Sequence, residues 1–239
     1  MIETAQLLRE QVAWACRILA LEGYADLTLG HVSARAPDGS VFIKRKGVAL
    51  GEVEPEDVVE LGDESVPLHL ETVLHTEVYR ARPDVGAVVH GHPPHATALA
   101  ATEAGLEMLT HDAVLFKDGI GRYEESGDLI TEPKQGQAVA RALGSHRAVL
   151  LRNHGVLVVG EDVAWAVLGA VTLERAVALQ SVAGSLGPLR PIPADWVERL
   201  YPEKYQDYLV EEYWASWIRR VQRFSAPPRI SKGAAWEPS

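Results

Sequence analysis

Three short and almost wholly apolar segments constrain the fold of this chain more than any other feature of its sequence. They occupy residues 85–90, 148–152 and 156–159, and each has the length of a strand. Strands that are apolar at nearly every position are typical of sheets whose two faces are both covered. The sequence therefore predicts a central sheet with a layer of packing on each side.

Further strands and the covering helices are indicated by turn residues and by apolar spacing. Residues 31–36 and 40–44 flank Asp38-Gly39, a dipeptide typical of β-hairpin turns. Residues 114–116 are predicted to form another short strand. Helical spacing of apolar residues predicts helices over residues 2–22, 70–81, 93–101, 132–143, 162–183 and 203–224. Hairpins mixed with helices predict an α/β sandwich around a mainly antiparallel sheet.

Composition narrows the class of protein and of partner. The 239 residues, 47% of them hydrophobic, suit one large globular domain. The net charge of −10 and the lack of a large basic block argue against a nucleic-acid partner. The single run of positive charge, Lys44-Arg45-Lys46, is large enough only for a small anionic ligand.

The cellular setting follows by elimination. Cys16 is the sole cysteine, which excludes an intramolecular disulfide and a cysteine-based zinc site. The first 19 residues lack the basic start and uninterrupted apolar core of a signal peptide. No window contains eighteen consecutive apolar residues, so we expect no membrane span and a cytoplasmic protein.

Histidines at the ends of two apolar strands indicate a metal site. His90 and His92 are two residues apart, so their side chains point to the same side of a strand. His154 follows another apolar strand and precedes Gly155, which permits a sharp turn. Three imidazoles that meet at one edge of a sheet suit a divalent zinc, manganese, iron or cobalt ion, with positions left open for substrate. The alternative is that these histidines merely lie on the surface or cap local structure.

Several motifs together resemble the class II aldolase/adducin family over about residues 5–185. They are Glu71 with His75 one helical turn later, a Tyr-Arg-Ala-Arg-Pro-Asp run over residues 79–84, AVVHGH ending at His92, and LRNHG around His154. The resemblance implies an α/β/α sandwich, with His90, His92 and His154 as ligands of one divalent ion per subunit. It also implies that Glu71 is the acid–base residue. By itself Glu71 also fits a helix-start glutamate; Glu77 is a competing carboxylate, and His75 is more simply a packing residue.

A domain layout and an assembly are also expected. Residues 1–184 are expected to form the catalytic domain, residues 185–225 a helical extension, and residues 226–239 a flexible tail. The resemblance implies a homotetramer, with active sites near subunit interfaces. Aromatic residues in the extension are expected to pack at an interface or to close a pocket; the tyrosines concerned are Tyr201, Tyr205, Tyr208 and Tyr213.

The substrate-binding turns depart from those of the sugar-phosphate aldolases in the family. Those enzymes hold a phosphate with Gly-Asn-x-Ser, with Thr-x-Ser/Thr-Gly and with two serines before the glutamate. Here the first turn contains Gly30, His31 and Ser33, the second is the cluster of Lys44, Arg45 and Lys46, and His69-Leu70 precedes the glutamate. Because neighbouring strand residues alternate in direction, either Arg45 or the two lysines face the site; a solvated strand end is the other interpretation.

The pattern resembles the branch of the family that decarboxylates hydroxylated aromatic acids such as a dihydroxyphthalate. That resemblance implies that the cationic cluster binds a second carboxylate, and that His111 is a proton shuttle. The alternatives are an aldolase that cleaves a sugar phosphate or related hydroxy-keto compound, a sugar-phosphate dehydratase, and an adducin-like structural module. The last predicts loss of a metal ligand or of the acid–base residue, whereas all four residues are present.

Overall fold

A seven-stranded sheet forms the middle layer of the protein. The structure is a computed structural model and describes residues 2–63 and 65–225. The strands are β1 His31–Arg35, β2 Val41–Lys44, β3 Val58–Glu60, β4 Ala87–Gly91, β5 Gly121–Tyr123, β6 Ala148–Leu151 and β7 Gly155–Gly160. Their order across the sheet is β3-β2-β1-β4-β7-β6-β5, and every pairing is antiparallel except β5 with β6. The mainly antiparallel sheet is confirmed.

The described part of the chain contains seven α-helices. They are α1 Ile2–Leu19, α2 Thr72–Ala81, α3 Pro94–Ala100, α4 Pro133–Leu143, α5 Val163–Leu186, α6 Ala194–Lys204 and α7 Asp207–Ser225. A π-helical turn, Ala20–Tyr24, follows α1 and contains Gly23 at φ 103°. At that angle only glycine is free of strain, which explains why the chain turns off the helix there.

Alternation along the strands divides the core into two layers. Val89 and Val158 pack against α1, α3 and α5 on one face, whereas Val88 and Val159 pack against α2 and α4 on the other. The predicted three-layer α/β/α sandwich is therefore confirmed. Because helices cover both faces of the sheet, its central strands are apolar at nearly every position.

Three predicted elements differ from the structure. Residues 114–116 lie in a 3-10 helix, Ala113–Phe116, so the strand predicted there is wrong; all four side chains are buried, and an apolar run this short has no readable period. The helix predicted over residues 203–224 is two helices, because Tyr205 and Gln206 break it. The helix predicted over residues 162–183 continues to Leu186.

The C-terminal helices pack on the same core as the sheet. Val197, Tyr205, Val210 and Val221 are buried in the cluster that contains α1 and α5. The predicted boundary after residue 184 stays a prediction, and the predicted tail, residues 226–239, lies outside the described residues. Helix α5 is long and apolar enough to cross a membrane, but 67% of its most apolar window is buried inside the fold, as in the core helix of a globular protein.

Candidate metal centre and active site

Strand pairing brings the predicted site residues to one end of the sheet. His31 begins β1 and lies directly opposite His90, which is near the end of the antiparallel β4. His92 follows β4, and His154 lies in the turn between β6 and β7. That turn is tight, with Asn153 at φ 53°. The register of three strands therefore converges on one small volume.

The three predicted ligands form a compact cluster. The ring centroids of His90 and His92 are 4.9 Å apart, those of His90 and His154 5.1 Å, and those of His92 and His154 5.2 Å. One nitrogen from each ring lies within 4.8 Å of the others. This spacing is suitable for three imidazoles that share one ion.

Hydrogen bonds from behind fix the tautomers of two of these histidines. His90 donates from Nδ1 to the carbonyl oxygen of Val156 at 2.9 Å, and His92 donates from Nδ1 to Asp26 Oδ2 at 2.9 Å. In each ring the Nε2 lone pair is then free for a metal. Metal-bound histidines usually have such a partner, which orients the ring.

Unpaired nitrogens support the fit of a metal. Among the described residues, His90 Nε2 and His154 Nδ1 are buried and have no hydrogen-bond partner. Buried polar atoms without a partner are rare because they lose their hydration without compensation. A divalent ion at the centre of the three histidines would give His90 Nε2 the partner that it lacks.

Glu71 lies beside the cluster, immediately before α2. Its Oε1 accepts a hydrogen bond from the backbone N–H of Ile130 at 2.9 Å and is 3.5 Å from His154 Nε2, while its Oε2 is 3.6 Å from His90 Nε2. Burial alone would raise the pKa of this carboxyl, but the adjacent His154 and His90 and the Ile130 N–H outweigh it, so the pKa lies well below its usual range. Glu71 is thus an anion at neutral pH.

The surrounding histidines are neutral. Burial and the neighbouring imidazoles lower the pKa of His92 to about 4, and burial with His90 and His69 lowers that of His75 to about 3. The pKa of His31 is likewise lowered, chiefly by burial. Neutral imidazoles are the form that binds metals.

Lys44 is the cation that the fold places at the site. It is 0% exposed, and its Nζ lies 3.1 Å from both the Thr28 carbonyl oxygen and His69 Nε2. Among the described residues, no carboxylate lies within salt-bridge distance of it. Burial lowers the pKa of Lys44, and burial together with the nearby lysine charge lowers the pKa of His69 to about 4. The His69 ring centroid is 4.6 Å from that of His31, so the lysine charge lies behind two neutral histidines.

The rest of the predicted substrate cluster is arranged differently. Arg45 forms an ion pair with Asp57 at 2.8 Å, and Lys46 is exposed. Ser33 is buried beneath the site, where it contacts His75. Gly30, at φ 72°, makes the turn into β1, and a Cβ there would meet the Leu50 side chain at 3.3 Å. The structure thus brings Gly30 and Lys44, but not Arg45, together with His31.

Other predicted residues lie apart from the cluster. His111 is exposed, and its carbonyl oxygen accepts a hydrogen bond from the Tyr205 hydroxyl at 2.8 Å. Among the described residues, no contact links the His111 side chain or the four C-terminal tyrosines to the metal cluster. The competing carboxylate, Glu77, is paired with Arg80. The catalytic role of His111 stays a prediction that these contacts do not support.

Sequence reasoning missed two side chains that organise the site. Asp26 holds His92 from 66 positions away, and no local motif identifies it. His69 does carry a signal, because it directly precedes the Leu70-Glu71 pair, but its contact with Lys44 depends on the position of β2.

Comparison with known proteins identifies the family. The model of the class II aldolase and adducin N-terminal domain matches residues 10–181. The chain belongs to this family. As a class II aldolase/adducin protein, it has the sheet, the helical layers and the cluster of histidines at the sheet's end that are described above.

Relatives within the family have different activities. The chain is 30% identical to 3,4-dihydroxyphthalate decarboxylase of Arthrobacter keyseri, over 89% of this chain and 93% of that one. It is 34% identical to methylthioribulose-1-phosphate dehydratase of Gluconobacter oxydans, over 64% and 80%. The structure of L-fuculose 1-phosphate aldolase from Glaciozyma antarctica has a TM-score of 0.80 at 23% identity, covering 93% of this chain and 90% of that one, which shows the shared fold.

Proposed function

We propose that the chain is a divalent-metal-dependent carbon–carbon lyase that removes carbon dioxide from a hydroxylated aromatic carboxylate or dicarboxylate, of the dihydroxyphthalate class. The observation that carries the proposal is the buried Lys44, which has no carboxylate partner among the described residues and lies behind His69 and His31. A buried uncompensated cation favours an anion nearby. The similarity to 3,4-dihydroxyphthalate decarboxylase over 89% of the chain supports this choice of substrate.

The surroundings of the site suit a flat, partly apolar anion. Leu29, Leu70 and Leu129 are 44%, 62% and 55% exposed, and each directly precedes a residue of the site in the chain. Large exposed apolar side chains around a polar cluster are typical of a ligand-binding rim. An aromatic ring would contact these leucines, while its second carboxylate would lie towards His31, His69 and the Lys44 charge.

The reaction depends on proton transfer by Glu71. A divalent ion held by His90, His92 and His154 supplies Lewis-acid stabilisation of negative charge on the substrate oxygen. Glu71, which is ionised, accepts the proton of a ring hydroxyl next to the carboxylate. It then delivers this proton to the ring carbon that carries the carboxylate. The bond from this carbon to the carboxylate breaks, its electron pair restores the aromatic ring, and carbon dioxide leaves.

The hydrogen bond from the Ile130 N–H orients Glu71 for both transfers. It occupies Oε1 at 2.9 Å and holds the carboxylate against the two histidines. A carboxylate that is fixed in this way can accept and return one proton without a change of rotamer.

The second candidate is an aldolase that cleaves a sugar phosphate or related hydroxy-keto compound, and the fold that the chain shares with L-fuculose 1-phosphate aldolase favours it. The same histidines and Glu71 serve that reaction, as they would serve a dehydratase. An adducin-like structural module is less consistent with the site, because a module without chemistry does not need a complete set of histidines and an ionised carboxylate.

Carbon dioxide release tests the proposal. Purified protein is assayed with bound metal quantified, across ortho-hydroxylated aromatic mono- and dicarboxylates. We expect release that stops on chelation and returns with a divalent ion. Glu71→Gln should abolish it, whereas Glu125→Gln, a control at an exposed glutamate, should not. No release from metal-loaded protein, with cleavage of a sugar phosphate instead, would replace the decarboxylase by the aldolase.

Finer properties belong to the same proposal. They are one zinc, manganese, iron or cobalt ion per subunit, a homotetramer and a cytoplasmic location. Metal analysis tests the ion, and light scattering tests the assembly.

A further inference from the structure

A chain of four buried polar side chains leads from the metal cluster to the underside of α2. His31 Nδ1 lies 2.6 Å from His75 Nε2, His75 Nδ1 lies 2.6 Å from Ser33 Oγ, and Ser33 Oγ lies 2.8 Å from the Tyr79 hydroxyl. None of the four is more than 6% exposed. The proposed reaction gives no role to any of them beyond His31.

The direction of the hydrogen bonds in this chain follows from its far end. The other group near the Tyr79 hydroxyl is the Val88 backbone N–H, which can only donate, so among the described residues the tyrosine proton finds an acceptor only in Ser33 Oγ. Ser33 has one proton and must then donate it to His75 Nδ1. Because His75 Nδ1 accepts this proton, the ring carries its own proton on Nε2, from which it donates to His31 Nδ1.

The direction of these hydrogen bonds decides whether His31 Nε2 is a donor or an acceptor. Since its Nδ1 accepts from His75, the neutral ring carries its proton on Nε2. A ring nitrogen of His31 lies within 4.8 Å of the ligand atoms of Glu71 and His90, and His75 already occupies Nδ1. With the opposite direction, Nε2 would present a lone pair and His31 would be a fourth metal ligand.

We infer that Ser33, His75 and Tyr79 are positioning residues that hold His31 as an Nε2–H donor, so that His31 donates a hydrogen bond to the substrate and does not bind the metal. His90 is its opposite. The two residues are paired in register between β1 and β4, but His90 donates from Nδ1 to a carbonyl and keeps its Nε2 lone pair free. Two adjacent histidines thus have opposite tautomers and different tasks.

The identity of the substrate rests on the proposed function, but the direction of the chain does not. Cobalt(II) binding therefore provides the first test, because it needs no substrate. Metal-free wild type, His31→Gln and His90→Gln are titrated with cobalt(II), and the visible absorption bands are recorded. We expect wild type and His31→Gln to bind with the same Kd and the same bands, and His90→Gln to lose them. A weaker Kd and altered bands for His31→Gln would make His31 a ligand and overturn the inference.

Two variants of His75 test its positioning role. His75→Gln keeps an amide donor for His31 and an acceptor for Ser33, whereas His75→Leu keeps bulk but neither bond. We expect His75→Leu to lower kcat by about 10- to 100-fold, the usual cost of losing an outer-shell partner, and His75→Gln to recover most of it. KM, Tm and cobalt binding are measured on both variants.

The outcomes separate the inference from the proposed function. If kcat of His75→Gln is as low as that of His75→Leu while both variants retain the wild-type Tm and cobalt bands, His75 is a packing residue and the inference fails. If no aromatic acid is decarboxylated, the proposed function fails, and the kcat comparison uses whichever substrate the metal-loaded protein cleaves. If His75→Leu does not fold, the His31→Gln titration still decides whether His31 binds the metal.

Discussion

Lys44 is the residue whose environment says most about the ligand. A lysine that is fully buried against a carbonyl and a neutral imidazole gains less from its contacts than it loses in hydration. Such a cation destabilises the folded protein, and it lies beside the proposed substrate site. The function of the residue is therefore better explained by binding than by stability.

Replacing Lys44 by methionine separates these two effects. We expect Lys44→Met to leave the free energy of unfolding unchanged or to raise it by up to about 4 kcal/mol. KM for an aromatic dicarboxylate should rise by about 10- to 100-fold, since a charge separated from an anion by one or two side chains contributes on the order of 2 kcal/mol at an effective dielectric constant of about 20. Urea unfolding and steady-state kinetics measure the two quantities, with Lys134→Met, an exposed lysine, as control.

The pH dependence of the same pair has a defined sign. Because burial lowers the pKa of Lys44, the unfolded chain binds more protons than the folded protein at alkaline pH. The stability of wild type relative to Lys44→Met should therefore rise as the pH increases towards the unfolded lysine value near 10.4. A strong loss of stability in Lys44→Met, or an unchanged KM, would contradict this account.

Asp26 tests the positioning of a metal ligand from behind. It accepts the Nδ1 proton of His92 at 2.9 Å and so fixes which nitrogen faces the cluster. We expect Asp26→Asn to weaken metal affinity by about 10- to 100-fold with little change in Tm. Competition with a chromogenic chelator measures the affinity. Asp38→Asn, at an exposed hairpin turn, is the control; equal affinities for Asp26→Asn and wild type would show that His92 does not need this partner.

At the scale of single residues, the sequence predicts which residue types form the site better than it predicts the direction in which their side chains point. Side chains alternate in direction along β2, so the sequence predicts that either Arg45 or the two lysines beside it face the site. Which of these two choices holds depends on how β2 pairs with β1 and β3. Arg45 is directed away by Asp57, twelve positions later. Asp26 and His69 reach the site through tertiary contacts, which no local spacing contains.

Among the elements, the hairpin between β6 and β7 controls the geometry of two ligands. It carries His154, and its Gly155 packs directly on the neighbouring strand end. A Cβ at Gly155 would lie 2.6 Å from both the Gly91 carbonyl oxygen and His92 Cδ2, much closer than van der Waals contact. The spacing between β4 and this turn thus requires glycine.

Gly155→Ala should therefore impair both metal binding and folding. We expect the alanine to displace His92 and to lower metal affinity by at least about tenfold, with a loss of about 1–3 kcal/mol in stability from overpacking. Gly184→Ala is the matched control, since a Cβ there meets nothing within 4 Å. Metal titration and thermal unfolding compare the two. Wild-type affinity in Gly155→Ala would mean that the turn adapts without moving His92.

The longer elements could be predicted from the sequence, whereas the three-residue strands could not. Helices α1, α2, α4 and α5 follow from apolar spacing and from Gly144 after α4. Strands β3 and β5 have three residues each and are defined by their partners. Helix α6 contains Pro202, which conceals its pattern. Short segments take their structure from the sheet edge that they join.

For the whole molecule, the C-terminal helices are part of the fold and not an appendage. Val197, Val210 and Val221 are buried in the main core. The Tyr205 hydroxyl donates a hydrogen bond to the His111 carbonyl oxygen, in the loop before the 3-10 helix. Ile192 N–H donates to the Met108 carbonyl oxygen at 2.6 Å on the same side. These contacts join the segment after α5 to the main core. An extension that merely followed a complete domain at residue 184 would not need them.

Truncation decides whether residues 1–184 fold by themselves. A chain that ends at Leu186 loses several buried apolar side chains, each of which contributes about 1.5–3 kcal/mol, from a total stability of about 5–15 kcal/mol for a typical protein. We expect this chain to aggregate or to unfold without a cooperative transition, and to bind no stoichiometric metal. The control ends at Ser225 and should unfold like the full chain. A shortened chain that unfolds cooperatively and binds one metal ion would establish the boundary after residue 184 and would assign α6 and α7 to an extension that covers a finished domain.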